Sequence, residues 1–304
     1  TVSDDPFLKA TDNSTVFLES GSVLEHVEKF NKIGMPALFI MLVVIIIRSV
    51  TLPGAMEGLK FMFVPGYAVE GGFIEEAPGF LTILATAGGQ MFFSLSLAGS
   101  GTLVYGSYLK KDVDVPTSAR TVAFWDTMAA LVAALTIIPA MATAGQELTS
   151  GGPGLMFIFL PNVFAQMPGG NLVIIIFFLA VTFAGLTSLV NLFETPVEAV
   201  QTKFGLSRKK SVAIVAVIGS SIAICIEGIV SGWMDIFSIY FCPIGAAIAG
   251  ILFFWVCGKD FVREQVDMGA RKKLGNWFEF ASKYIFCGLT IAVLVLGTLL
   301  GGIG

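Results

Sequence analysis

From Gly79 to Tyr108 no side chain carries a charge. A bilayer core about 30 Å thick needs roughly 20 apolar helical residues in a row, and this run exceeds that. It is one of seven, at about 33–51, 79–108, 121–144, 170–200, 210–226, 234–257 and 279–302. Charged residues are 13% of the 304 and hydrophobic ones 55%, whereas a soluble globular chain is about a quarter charged. Most of the surface must therefore face lipid. The chain reads as an all-α, multi-pass integral membrane protein, and its 34 glycines suit helices that approach closely.

Residues 1–22 form a polar stretch, TVSDDPFLKATDNSTVF at its head, and 23–304 the membrane domain. No signal peptide is visible at Thr1, and an N-terminal truncation is expected. Between the third and fourth spans, 147–169 is apolar in its middle and broken by Gly and Pro at both ends, which predicts a short re-entrant or surface helix. Basic residues orient the spans. Lys110, Lys111 and Arg120 follow the second span. Lys203, Arg208, Lys209 and Lys210 follow the fourth. Lys259, Arg263, Arg271, Lys272 and Lys273 follow the sixth, with Lys283 opening the seventh. The alternate loops hold only Arg48 and Lys60. The segment before the first span is therefore expected on the cytoplasmic side and the C-terminus outside.

Several function classes drop out. Net charge is −4 without a basic face, so nucleic-acid binding has no electrostatic footprint. Cys225, Cys242, Cys257 and Cys287 lie in apolar runs without a CxxC, and His26 is the single histidine. No zinc site, disulfide framework or nucleophile–base pair within the spans follows from these, and an enzyme is not expected.

Three features are unusual for plain lipid-facing helices. Between Ser94 and Gly101 the second span is rich in small and hydroxyl residues, with poor helix propensity at mid-membrane depth. Irregular backbone there lines a cavity or is buried in protein; a glycine-rich packing face is the alternative. Asp126 is a lone acid in the third span, where a carboxylate needs a partner or a task, unless it snorkels to the cytoplasmic interface near Arg120. In AGLTS, Ala184 to Ser188, a carbonyl and two hydroxyls fall within about one turn and offer hard oxygen ligands suited to an alkali cation. Ser and Thr in membrane helices also commonly bond back to their own backbone.

Taken in order, EKFNKIGMPALF, GQMFFSLSLAGSGTLVYGSYLKKD and AGLTSLVNLFETPVEAVQTKFGLSRKK resemble the neurotransmitter:sodium symporter family in its bacterial, amino-acid-transporting form. They resemble the start of that family's fifth helix, its broken sixth, and its eighth running into the ninth. The resemblance extends from about Glu28 to the C-terminus. It implies the inverted-repeat transporter fold, with the seven spans as helices five to eleven, the second span broken, and the first four helices not in this chain. Residues 1–22 then resemble part of an outer loop.

Residue by residue, the resemblance implies two sodium sites. Ser94 and Asp126 belong to one, Ala184, Thr187 and Ser188 to the other. It implies Phe93 as a lid over substrate, Ser96 and Leu97 as unwound pocket backbone and Leu192 as a pocket wall, with Ser94 and Ser188 also at the substrate. Gly99 stands where leucine-selective relatives carry a bulky aromatic, which enlarges the pocket. Asp235 matches an outer-gate acid, Gln90 the residue bridging that gate, and Tyr108 an inner-gate tyrosine. Thr202 stands where the family usually has an inner-gate aspartate, and Glu194 is an extra acid without a role.

These observations imply sodium-coupled symport of an amino acid, bulky hydrophobic or aromatic, by alternating access. The expected partners are the substrate, sodium ions and the lipid bilayer, with no nucleic acid and no cofactor beyond sodium as coupling ion. The expected location is the plasma membrane, in bacteria the inner membrane. Proton coupling through Asp126 or Glu194 is the alternative, and a non-transporting membrane subunit a further one.

Overall fold

In the computed structural model residues 13–97, 101–143, 148, 154–165 and 169–300 are described, and the statements below concern these. All their regular elements are helical. A long α1 (Asn13–Val50) leads into the short α2 (Ala55–Phe63) and α3 (Tyr67–Glu70). The half-helices α4 (Phe80–Ser94) and α5 (Gly101–Tyr108) precede α6 (Val115–Thr143). A π-turn, Leu155–Phe159, opens α7 (Leu160–Ala165), and then come α8 (Gly170–Phe204) and α9 (Arg208–Ile226). The helices α10 (Val230–Ile236) and α11 (Cys242–Ile251) form one rod through the π-turn Phe237–Phe241, prolonged by another at Leu252–Val256. After α12 (Lys259–Asp267), α13 (Trp277–Phe280) and the π-turn Ala281–Phe286 feed α14 (Cys287–Leu300).

Six of these rods are long and apolar enough to cross a membrane. The remaining crossing is divided between α4 and α5, so the second span is broken as the small-residue run predicts. The α4 ladder ends in a Schellman-type cap: Ser96 N–H donates to Phe93 O at 3.0 Å and Leu97 N–H to Phe92 O at 3.1 Å. Ser96 has φ +52°, the one positive value at a non-glycine among the described residues. That is a conformation L-residues adopt at a cost and hold only where surroundings fix it.

Segment 147–169 contains the short helical piece expected of it, 154–165 among the described residues. Of the polar head expected as an outer-loop segment, 13–22 are helical and continuous with α1, while 1–12 lie outside the described residues.

Two apolar clusters hold the helices. In one, Leu160, Val163 and Phe164 of α7 fill the space between Ile45 of α1, Ala140 and Met141 of α6, and Val173 and Phe177 of α8. Ser49 Oγ donates to Thr136 O at 3.0 Å inside the α1–α6 contact, so the hydroxyl is satisfied where it is buried. The other cluster joins Phe92 of α4 to Ile239, to Ala246 of α11 and to Val293 of α14. There α4 comes so near α14 that a Cβ on Gly88 would stand 2.5 Å from Val293 Cγ2. Only glycine permits this approach.

Helix ends turn the chain sharply. Gly205 closes α8 at φ +62° with its N–H on Gln201 O at 2.8 Å, a left-handed cap. Three residues later α9 begins, so the ends of α8 and α9 lie side by side. Asp114 caps α6, accepting from Thr117 N–H at 3.1 Å and from Thr117 Oγ1 at 2.8 Å. The second Asp114 contact draws in the loop after α12, through Arg271 N–H at 3.3 Å. The hydrogen bonds from the Thr117 hydroxyl and N–H hold the Asp114 carboxyl below the usual carboxylate range.

Candidate ion and substrate site

The break after Ser94 frees that residue from the helical ladder and turns its hydroxyl toward α6. Ser94 Oγ donates to Asp126 Oδ1 at 2.6 Å, a length typical of a charge-assisted bond. Ser94 stands midway along the uncharged run 79–108, so the bond holds the Asp126 carboxyl near mid-span. It is therefore not at the interface beside Arg120. Its partner is the broken helix.

On α8, Thr187 is the middle residue of the 35 and is 3% exposed. Its Oγ1 donates to Ala184 O at 2.8 Å, and its own carbonyl accepts from Asn191 Nδ2 at 2.9 Å. Back-bonding is thus present, and it holds two of the expected oxygen ligands side by side. Ser188 and Leu192 share the next face, one turn apart, and both are exposed. No hydrogen bond among the described residues links the α8 group to Ser94 and Asp126.

The unwound stretch is partly described. Phe93 is half exposed while its neighbour Phe92 is fully buried. Ser96 O accepts from Thr102 Oγ1 at 3.3 Å, which ties the break to the start of α5. Leu97 packs its side chain against the Phe92 cluster, so only its backbone is left for a pocket. Gly99 lies outside the described residues. Gln90 and Asp235 are exposed on α4 and α10, and among the described residues neither has a hydrogen-bond or ion-pair partner.

At the basic-loop end the structure supplies what the sequence reading missed. Glu194, 3% exposed, pairs with Arg208 Nη2 at 2.5 Å through Oε2. Its other oxygen accepts from Arg208 Nη1–H at 3.1 Å. Tyr108 Oη lies 3.1 Å from Glu194 Oε1 and 3.3 Å from Glu198 Oε2. Thr202 Oγ1 donates to Glu198 Oε1 at 3.2 Å. The expected gate tyrosine thus meets the unassigned acid, and the Gly205 turn brings Arg208 back onto it. A buried acid followed by an early basic residue of the next helix was the available signal. The cluster fastens α5 to α8 and α9.

Comparison with known proteins decides the family. Residues 19–300 match the Sodium:neurotransmitter symporter family. The chain belongs to that family. Its relatives include an uncharacterised sodium-dependent transporter of Methanocaldococcus jannaschii, 31% identical over 290 residues, which are 91% of this chain and 57% of that protein. A second, from Bacillus subtilis, is 37% identical over 196 residues, 64% of this chain and 41% of that one. The crystal structure of MhsT in complex with L-phenylalanine superposes with a TM-score of 0.74 at 31% identity, over 89% of this chain and 62% of that one. The chain thus spans somewhat more than half the length of the first of these relatives. The symporter family consists of transporters, not enzymes, and with its apolar helices this member is a multi-pass protein of the plasma membrane.

Proposed function

We propose that the protein carries out sodium-coupled symport of an amino acid with a bulky hydrophobic or aromatic side chain. The observation that carries this is the Ser94–Asp126 bond, a hydroxyl and a carboxylate held together at mid-depth beside a helix break. Hard oxygens in that setting suit an alkali cation, and the half-helix ends beside it suit the charged groups of an amino acid. Ala184 O with the Thr187 and Ser188 hydroxyls forms the second sodium site. Phe93, Ser94, Ser96, Leu97, Gly99, Ser188 and Leu192 bound the substrate. Sodium binding favours the state that accepts substrate, and the linkage between the two needs no covalent step. The substrate class is supported by the sequence resemblance, which sets Gly99 where leucine-selective relatives carry a bulky aromatic, and by the L-phenylalanine in the similar MhsT structure.

The test is uptake by the full-length protein in proteoliposomes. Replacing sodium with choline should abolish uptake of phenylalanine, tyrosine, tryptophan or leucine. Uptake that persists in choline and follows a pH gradient instead would establish the proton-coupled reading. Against that reading stands Glu194, whose two oxygens are taken by Arg208. Gly99→Phe should shift preference toward alanine and glycine.

A further inference from the structure

On the side of α14 turned away from α4, a groove of about 430 Å³ runs between α14 and the α11 rod. Ile251, Trp255, Lys283, Tyr284, Gly288 and Ile291 line it. Its polarity is graded along the membrane normal. Trp255 is the last residue but one of its apolar helix, and Lys283 lies six residues into the facing one, both at the end that carries the basic loops. Gly288 and Ile291 lie roughly 8 and 12 Å deeper, at 1.5 Å per residue, with Ile251 opposite.

The head of the groove is rigid and positively charged. Lys283 Nζ sits 5.6 Å from the Trp255 ring centroid, and Trp255 Nε1–H donates to Lys283 O at 3.2 Å. Tyr284 meets the same indole edge-on at 5.5 Å. The nearby bases Lys259 and Arg263 share one carboxylate, Glu279, at 3.0 and 2.7 Å, so each has an anionic partner although the trio stays net positive. Lys283 has no carboxylate partner among the described residues, and the Tyr284 hydroxyl has no hydrogen-bond partner there. An ammonium at such a position is costly unless an anion or water reaches it. Farther in, the floor is open: a Cβ on Gly288 would meet nothing within 4 Å.

The geometry points to a binding site for an anionic phospholipid of the leaflet on the basic side. Its phosphate is held by the Lys283 ammonium and the Tyr284 hydroxyl, and one acyl chain lies along Ile251, Gly288 and Ile291. A basic pocket between helices with an interfacial aromatic wall is the chemistry that takes acidic headgroups. A zwitterionic lipid brings its own cation to the same place and gains less from Lys283.

Native mass spectrometry of the full-length protein in neutral detergent, with phosphatidylglycerol and phosphatidylcholine supplied equally, tests this. Phosphatidylglycerol should be retained preferentially. Lys283→Gln should weaken it about fivefold, the effect of one lysine at an anionic surface, and Lys283→Arg should restore it. Lys273→Gln, an exposed loop base outside the groove, should change nothing. Gly288→Phe should lower retention of both lipids by filling the floor. Equal retention of the two lipids, or Lys283→Gln without effect, overturns the proposal. So does displacement of the lipid by inorganic phosphate alone, which would make this a small-anion site. Gly288→Phe that melts the protein without altering the lipid count also overturns it, because another helix of the protein would then occupy the groove.

Discussion

Ser94 and Asp126, 32 residues apart in sequence, are joined by a 2.6 Å hydrogen bond across the break in a membrane helix. The bond needs both the irregular backbone after Ser94 and an acid deep inside α6. Asp126→Asn keeps the shape and an acceptor for Ser94 but removes the charge. Hydrogen bonds and contacts to a charged group contribute about 1.5–3 kcal/mol, so apparent sodium affinity should fall at least about tenfold. The check is uptake against sodium concentration at matched surface expression. An unchanged half-saturating sodium concentration would remove Asp126 from the ion site.

Thr187→Ala with Ser188→Ala deletes two hydroxyls while leaving small, helix-compatible side chains. The Thr187 bond to Ala184 O is worth about 1 kcal/mol net, so the fold should survive with a modest loss in melting temperature. Sodium dependence of uptake should weaken strongly. Wild-type dependence in the double variant would assign these hydroxyls to back-bonding alone.

Glu194→Gln strands a largely buried guanidinium. Breaking a buried ion pair from one side costs about 3 kcal/mol or somewhat more when burial is complete; with Arg208 22% exposed the loss should sit at the low end. Tyr108→Phe removes only a hydroxyl and should cost about 1 kcal/mol. Both should loosen the basic-loop end, read as faster labelling of a cysteine placed near Tyr108. If Tyr108→Phe labels as slowly as wild type while Glu194→Gln labels fast, the tyrosine is not part of the closure.

Asp235→Asn tests the opposite end. Asp235 is exposed and unpaired among the described residues, as an acid awaiting a partner in a closed state would be. Uptake should fall more than equilibrium substrate binding. Equal losses in both would mean that the residue is not a gate.

Asp114 makes stability depend on pH. Its hydrogen bonds from Thr117 lower its pKa in the folded protein, so the cap contributes fully above the ordinary carboxylate range. The contribution fades as pH falls through the lowered folded value. Asp114→Ala should therefore melt earlier than wild type at neutral pH, with the gap closing under strong acid. A gap that widens on acidification would contradict the sign.

The spans and the break were legible because they rest on local composition. An uncharged run marks a crossing, and Ser94–Gly101 cannot support a continuous ladder well. The short helix at 154–165 announced itself by its Gly and Pro boundaries. What the sequence could not show are contacts made by the return of the chain. Glu194 and Arg208 are 14 residues apart on two helices, and only the left-handed Gly205 cap makes them neighbours. Asp126 showed its need for a partner but not the direction of Ser94, which depends on where α4 stops.

The two halves of the broken span are fastened to different neighbours: α4 to α14 at Gly88 and Val293, α5 to α8 and α9 through Tyr108, Glu194 and Arg208. In the proposed alternating-access cycle, rotation of one set of helices against the other falls on the turn Leu95–Leu97 that follows Ser94. Ser94 itself sits at that pivot, where displacement is smallest while the lever arms on either side sweep farthest. In the proposed transport cycle, Ser94 at the fulcrum keeps its bond to Asp126 while either mouth of the protein swings open.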